Sequence, residues 1–275
     1  MLSKRILTIQ DLSCVGRCSL TVALPVLSAY GIETCVLPTA ILSNHTAFNK
    51  WSYLDLADEI KNILAAWQEN RFLFDAFLVG YLGTAAMADV AKSCFRDFSN
   101  KGAEIIIDPA FGDNGKLYPA LDGGYVAAMS DLIKSADIIL PNLTEVCFLT
   151  GTRYRPDIST ESAKEIVKRL AEHTPATIVL TGVEHGDEIG ELIYSDGAFS
   201  EVWNKKLPRR FHGTGDIFAS AFTASYLHGC GLIKACESAG GLVTASINAT
   251  DSSCVYGVNF EYALNNRINQ PLHFT

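Results

Sequence analysis

Between Phe211 and Asp216 the chain reads Phe-His-Gly-Thr-Gly-Asp and runs directly into Ile217-Phe218-Ala219-Ser220-Ala221-Phe222. A small, flexible loop thus opens a helix rich in Ala and Phe. Gly213 and Gly215 let the backbone approach a ligand closely and turn sharply. The helix start offers unpaired N–H groups and a partial positive charge of about half a unit, which together make an anion site. Asp216 sets a carboxylate beside the anion that the loop attracts. A general base that must stand next to both a phosphoryl group and an attacking hydroxyl explains that placement. The alternative is an acidic residue in a first helical turn, favoured there by the helix dipole.

Two other glycine devices for phosphates fail. A dinucleotide fingerprint needs Gly-x-Gly-x-x-Gly after an early strand; here the pattern ends in Phe218 and lies late in the chain. A P-loop needs Gly-Lys-Ser/Thr, but Gly115-Lys116 is followed by Leu117, and Ala110 stands where the first glycine belongs.

Further polar groups fall where apolar runs end. Asp108-Pro109-Ala110-Phe111-Gly112-Asp113 follows the run closing at Ile107, and Pro141-Asn142-Leu143-Thr144-Glu145 follows the next one. Carboxylates at the carboxyl ends of parallel strands face the crevice where open α/β sheets bind ligands. Oxygen ligands in these two loops, Asp108 and Glu145, suit Mg²⁺, which keeps waters and takes few protein carboxylates. Asn142 and Glu145, three apart, share a helix face, and a helix cap is the alternative for this pair. Ser43-Asn44-His45-Thr46, Gly80-Tyr81-Leu82-Gly83 and Thr181-Gly182 occupy the same kind of position.

Short apolar runs at 5–9, 33–37, 76–79, 104–107, 137–140 and 177–180 predict strands, and several are filled continuously by Ile, Val and Leu, as when both faces are covered. Helical stretches at 19–30, 55–69, 85–98 and 162–173 lie between them. The alternation predicts a mostly parallel sheet with helices on both faces. Runs at 189–194 and 199–203 flank Ser195-Asp196-Gly197, a hairpin expected as an antiparallel pair at the sheet edge. Helices at 216–228 and 233–250 follow, then a polar, peripheral tail from Asn265. With no linker, repeat or shift in composition, residues 1–275 are expected to form one α/β domain.

Composition narrows the partners. The chain has 275 residues, 48% apolar and 19% charged, with a net charge of −8. That excludes a disordered chain and disfavours binding to nucleic acid or anionic lipid. No stretch reaches the about 18 apolar residues of a membrane helix. The eight cysteines form no Cys-x-x-Cys pair, so buried free thiols in a reducing, cytoplasmic setting are expected.

Together these segments resemble the ribokinase superfamily and, within it, the pyridoxal kinases. Gly213-Thr214-Gly215-Asp216 is similar to the superfamily's anion-hole and base motif. Leu42-Ser43-Asn44-His45-Thr46 resembles the Phe-Ser-Asn-His-Thr segment of pyridoxal kinases, a narrower likeness. Gly80-Tyr81-Leu82-Gly83, Asp108-Pro109 with Gly112-Asp113, and Pro141-Asn142-Leu143-x-Glu145 follow in the family's order. The resemblance runs from about Ile6 to Thr250. It implies a three-layer α/β/α ribokinase-like fold with a mostly parallel sheet and an antiparallel edge, use of ATP and Mg²⁺, and a homodimer.

Carried over by position, Asp216 is the base and Gly213, Thr214 and Gly215 are the anion hole. Thr46 and Tyr81 line a pyridine pocket. Asn142, Glu145 and Thr181 meet the nucleotide phosphates or their metal, with Asp108 beside them. The chain departs from the family in two places. Ile9-Gln10-Asp11-Leu12 stands where Ile-Gln-Ser-His is common, so a ring-contacting Ser is replaced by Asp11, and Ala110-Phe111 replaces a more usual Val-Met. Asp11 has its own alternatives: capping the helix that begins near Gly16, or pairing with Arg17. The implied activity is phosphorylation of the 5′-hydroxymethyl group of pyridoxal, pyridoxamine or pyridoxine. A hydroxymethylpyrimidine kinase and a non-catalytic sensor of a phosphate-bearing ligand are the rivals.

Overall fold

The computed structural model describes residues 4–209 and 211–268. In chain order the elements are β1 (Arg5–Ser13), α1 (Leu20–Ala29), β2 (Glu33–Leu42), β3 (Tyr53–Asp55), α2 (Ala57–Asn70), β4 (Phe74–Val79), α3 (Ala86–Phe98), β5 (Ser99–Ile107), β6 (Gly112–Asp113) and β7 (Lys116–Leu117). They continue with α4 (Gly123–Leu132), β8 (Ile138–Ile139), α5 (Leu143–Leu149), α6 (Thr160–Ala171), β9 (Thr177–His185), β10 (Glu188–Ser195), β11 (Ala198–Lys205), α7 (Thr214–Leu227), α8 (Gly231–Asn248) and α9 (Phe260–Ile268).

Nine strands form one sheet in the order β11-β10-β9-β8-β5-β4-β1-β2-β3. The middle strands, from β9 to β2, are parallel. The continuous apolar runs make sense on this sheet because successive residues feed opposite layers. Leu7, Phe77, Ile107, Ile139 and Ile178 pack under α2 to α6. Ile6, Ala76, Ile106, Ile138 and Val179 pack under α1, α7, α8 and α9. These two buried layers with the sheet between them make the expected three-layer arrangement.

The hairpin forms as expected. Ser195 pairs with Ala198 across Asp196-Gly197, both at positive φ (51° and 78°), the geometry for which Asp-Gly is suited. The antiparallel edge is doubled: β3 pairs antiparallel to β2 at the far side of the sheet. Helices α4 and α9 and the small β6–β7 hairpin were not expected. The tail expected from Asn265 begins inside α9 and otherwise lies outside the described residues. All eight cysteines are free, but only Cys94, Cys147 and Cys236 are buried, and Cys14 is exposed.

Candidate active site

The carboxyl ends of β1, β4, β5, β8 and β9 point to one edge of the sheet, and the start of α7 meets them there. Gly213 caps α7 in the left-handed conformation (φ 85°), and a Cβ on it would collide with the carbonyl oxygen of Arg17. Only glycine allows the anion loop to lie directly on the β1–α1 connection. Thr214 donates its hydroxyl to the Phe211 carbonyl (3.3 Å), and Asp216 sits in the first turn. Loss of solvent pushes the Asp216 carboxyl up to about 7; the backbone N–H of Ser19 pulls it down and the nearby Asp11 pushes it up. A base poised near neutrality is what proton abstraction at physiological pH requires.

Asp11 lies where β1 runs on past its apolar segment. It is 3% exposed. Its N–H donates to the Tyr81 carbonyl (3.2 Å), and its Oδ2 accepts from the Ser13 hydroxyl (3.1 Å). Burial raises its carboxyl above the usual range, against hydrogen bonds from the Ser19 and Ser13 hydroxyls. The expected alternative of pairing with Arg17 is not what forms: that guanidinium bonds Glu261 (2.8 Å). Burial and the Asp11 charge push the Tyr81 phenol up to about 12, so it stays a neutral donor, and its ring lies 6.4 Å from that of Tyr118. Tyr53, from the edge strand β3, feels the Asp11 charge as well.

Thr46 is half-buried in a loop docked on the β1–α1 connection. The His45 N–H donates to the Val15 carbonyl (3.1 Å), while Asn44 Nδ2 closes the loop onto the Lys50 carbonyl (3.1 Å). The His45 ring lies 4.5 Å from Phe48 and 5.5 Å from His212, so this loop reaches the segment that leads into α7.

On the other side of Asp216, Asn142 and Glu145 form a reciprocal cap on α5. Asn142 Oδ1 accepts from the Glu145 N–H (3.1 Å), and Glu145 Oε2 accepts from the Asn142 N–H (2.9 Å). The cap alternative is therefore realised, and it does more than close a helix. Glu145 Oε1 accepts from the N–H groups of Phe111 (2.9 Å) and Gly112 (3.4 Å), and Asn142 Nδ2 donates to the Gly112 carbonyl (2.8 Å). The pair pins the loop after β5 to the loop after β8. Thr181 joins them through a bridge to Asn142 and a donated N–H to the Pro141 carbonyl (2.9 Å).

Asp108 ends β5's run into the loop, where Ala110 is held at positive φ (44°). Burial, then the Glu145 and Asp216 charges, drive the Asp108 carboxyl well above the ordinary range, and burial raises Glu145 too. Two carboxyls that feel one another's charge fit a hard divalent ion. Among the described residues no three His, Cys, Asp or Glu side chains converge as a ready-made metal site; Mg²⁺ commonly takes one or two carboxylates and completes its shell with water and phosphate. Of the two carboxyls, Asp108 keeps the greater free acceptor capacity.

The sequence reading missed Ser19, Tyr53 and Tyr118. Nothing around Ser19 signals a tight turn, because no glycine stands there. Tyr53 comes from an unexpected strand and Tyr118 from the loop that follows the β6–β7 hairpin.

Comparison with known proteins places the chain in a family. The phosphomethylpyrimidine kinase family matches residues 23–259. Pyridoxal kinase PdxY of Leifsonia xyli subsp. xyli is 31% identical over 238 residues, 81% of each chain. A Bacteroides thetaiotaomicron protein described as a phosphomethylpyrimidine kinase, crystallised with pyridoxal, superposes with a TM-score of 0.92 at 36% identity, covering 98% of this chain and 97% of that one. Pyridoxal kinase from Lactobacillus plantarum gives 0.88 at 31% identity, with 96% of each chain covered. The chain belongs to the phosphomethylpyrimidine kinase family and, within that ribokinase-like group, to the pyridoxal kinases.

Proposed function

We propose that this chain transfers the γ-phosphoryl group of ATP to the 5′-hydroxymethyl group of a vitamin B6 vitamer. The observation that carries the reading is Asp216, a carboxyl raised to about 7 in the first turn of α7, directly behind the glycine loop. Its carboxylate accepts the hydroxyl proton as the substrate oxygen forms its bond to the γ-phosphorus and the bond to the β-phosphate oxygen breaks, leaving ADP. The N–H groups of residues 213–216 face the charge that spreads over the transferring oxygens.

Asp108, with Glu145 behind it, would hold Mg²⁺. That ion neutralises phosphate charge when bound. Asn142 acts by fixing Glu145 and the loop after β5, and Thr181 faces the phosphates from β9. Asp11, Tyr81 and Thr46 surround the ring. A homodimer belongs to the same proposal, supported by the exposed Tyr53 and Leu54 on the open edge strand β3. Eight free thiols support a cytoplasmic setting. Among the described residues no helix is long and apolar enough to cross a membrane.

The family name keeps hydroxymethylpyrimidine as a second candidate alcohol. ADP release from ATP, measured with pyridoxal, pyridoxamine, pyridoxine and hydroxymethylpyrimidine, decides between them. A vitamer should give the highest kcat/KM. Turnover confined to hydroxymethylpyrimidine would overturn the vitamer assignment, and binding without any turnover would favour a sensor.

A further inference from the structure

Between α8 and α9 the chain passes against the anion loop. The Val258 N–H donates to the His212 carbonyl (3.2 Å), one residue before Gly213. Gly257 lies at φ 103°, and a Cβ on it would stand 3.0 Å from the Arg17 carbonyl oxygen and 3.2 Å from that of His212. A glycine there lets three segments meet: the β1–α1 connection, the anion loop and the α8–α9 connection. Arg17 touches the other two. Its carbonyl oxygen packs against Gly213, and its N–H donates to the Tyr256 carbonyl (2.8 Å).

The Arg17 side chain repeats the tie. Nη1 donates to the Gly257 carbonyl (3.3 Å), which also accepts from the Cys254 thiol (3.2 Å). Nε donates to Glu261 Oε1 (2.8 Å) in the first turn of α9. A guanidinium reaches both acceptors because its donors form a rigid fork, whereas a lysine ammonium is a point donor on a flexible stem. The Arg17 and Glu261 side chains are 27% and 55% exposed, and an ion pair in that setting contributes little to stability. The contact matters for where it pulls. It draws the α8–α9 connection, and with it the N–H that holds His212, onto the anion loop. The same connection is anchored to α8, since the Asn259 N–H donates to Thr250 Oγ1 (2.7 Å), whose hydroxyl donates to the Ser246 carbonyl (2.6 Å).

We propose that Arg17 is a positioning residue for phosphoryl transfer: it clamps the α8–α9 connection against residues 211–213 and so keeps the N–H groups of residues 213–216 aimed at the transferring phosphoryl group. This rests on the reading of that loop as the anion hole. Donors fixed in advance on charge that develops in the transition state act on the rate and not on ground-state binding. A loosened loop therefore shows in kcat, whereas a loosened surface contact shows only in melting temperature.

Arg17→Met, which keeps the apolar stem and loses the fork, tests it beside Arg17→Lys and Glu261→Ala. With ATP and pyridoxamine, Arg17→Met should lose about tenfold in kcat, less than the about 10²–10³-fold that follows loss of an anion-hole donor itself. Both KM values should stay within about twofold of the parent's. Arg17→Lys should recover part of the loss, because an ammonium still reaches one of the two acceptors, and Glu261→Ala should fall between the parent and Arg17→Met. Amide hydrogen exchange on the same proteins reads the clamp without turnover. The Val258 and Ile217 N–H groups close on the His212 and Gly213 carbonyls, and in Arg17→Met both should exchange about tenfold faster, the mark of a local opening, with β4 and β5 unchanged. A kcat within about twofold of the parent's, or a loss carried by KM, would overturn the proposal. Should Arg17→Met fail to fold, parent-like kcat and exchange in both other variants would overturn it equally. A parent without kinase activity would remove the functional reading, while the exchange rates would still decide whether Arg17 holds the loop.

Discussion

At the scale of single residues, the site is defined by carboxyls whose surroundings raise them. Asp216 is raised by desolvation and by Asp11, with the Ser19 backbone pulling the other way. A carboxyl in that state is half-ionised near neutrality and can take a proton from an alcohol. Asp216→Asn preserves shape and removes basicity, so turnover should fall by about 10²–10⁴-fold while ATP binding and the melting temperature stay near those of the parent. A variant with kcat within a few-fold of the parent would remove Asp216 from the mechanism. In the parent, rate should climb as pH rises through about 7, since the ionised form is the active one.

Asp11 invites a different experiment. It is buried beside Tyr81, accepts from the Ser13 hydroxyl, and among the described residues has no ion-pair partner. An ammonium group on the substrate would supply the missing charge, and charge-assisted hydrogen bonds are about twice as strong as neutral ones. The aldehyde of pyridoxal offers nothing for a carboxylate to accept. Asp11→Ser should therefore lower the ratio of kcat/KM for pyridoxamine to that for pyridoxal. An unchanged ratio would show that Asp11 does not read the amine.

At the scale of elements, what could be read from the chain was what periodicity and glycine report. The parallel strands were legible because Ile, Val and Leu fill both faces, each residue going to one of two cores. Where β1 continues through Gln10, Asp11 and Ser13, polarity argued for a loop, yet the strand goes on pairing with β2 through a bulge. The polar residues are inside because the site is there. β9 hid its length similarly. Thr181-Gly182 looked like its end but is a bulge, with Gly182 at φ 68°, and pairing resumes at Val183. Helix α4, which no apolar period announced, begins where the Asp122 side chain caps it by accepting from the Tyr125 N–H. The glycine loop and Asp216 were legible as chemistry, whereas Ser19 was not, because a serine at positive φ leaves no mark on the sequence.

The same scale separates a cap from a metal ligand. Asn142 has both ends of its amide committed within the protein, whereas Asp108 retains free acceptor positions. Asn142→Ala should thus cost about 0.5–2 kcal/mol of stability with little change in the Mg²⁺ concentration for half-maximal rate. Asp108→Asn should show the opposite pattern, a raised Mg²⁺ requirement with the melting temperature held or increased, since a buried charge is removed. Thermal melts and Mg²⁺ titrations on the two variants would refute the division if the patterns came out exchanged.

At the scale of the whole molecule, the two faces of the sheet do different work. Helices α2 to α6 cover one core, and the other is built on α7, whose first turn is the anion site. One buried acid on the α7 side is outside the catalytic constellation. Glu191 is 7% exposed on β10; among the described residues its Oε2 has no hydrogen-bond partner, and burial raises its carboxyl to about 8. It stands alone opposite the Thr181–Gly182 bulge, since Gly190 pairs with Val183 and Leu192 with Leu180. The unfolded chain would ionise this group near its ordinary value of 4.5, while the fold keeps it protonated to about 8. The folded state therefore binds the extra proton across that interval, and stability falls as pH rises from 4.5 towards 8. The loss is on the order of a few kcal/mol, or several degrees of melting temperature. Glu191→Gln copies the neutral acid and cannot ionise. Its melting temperature should decline less than the parent's between pH 5 and pH 8, with the other buried carboxyls titrating alike in both proteins. Because Glu191 faces the bulge that carries Thr181, the parent's KM for ATP should also rise above pH 8 more steeply than the variant's. Parallel melting curves for the two proteins across that range would show that Glu191 finds a partner or solvent in solution, and that the fold does not depend on its proton.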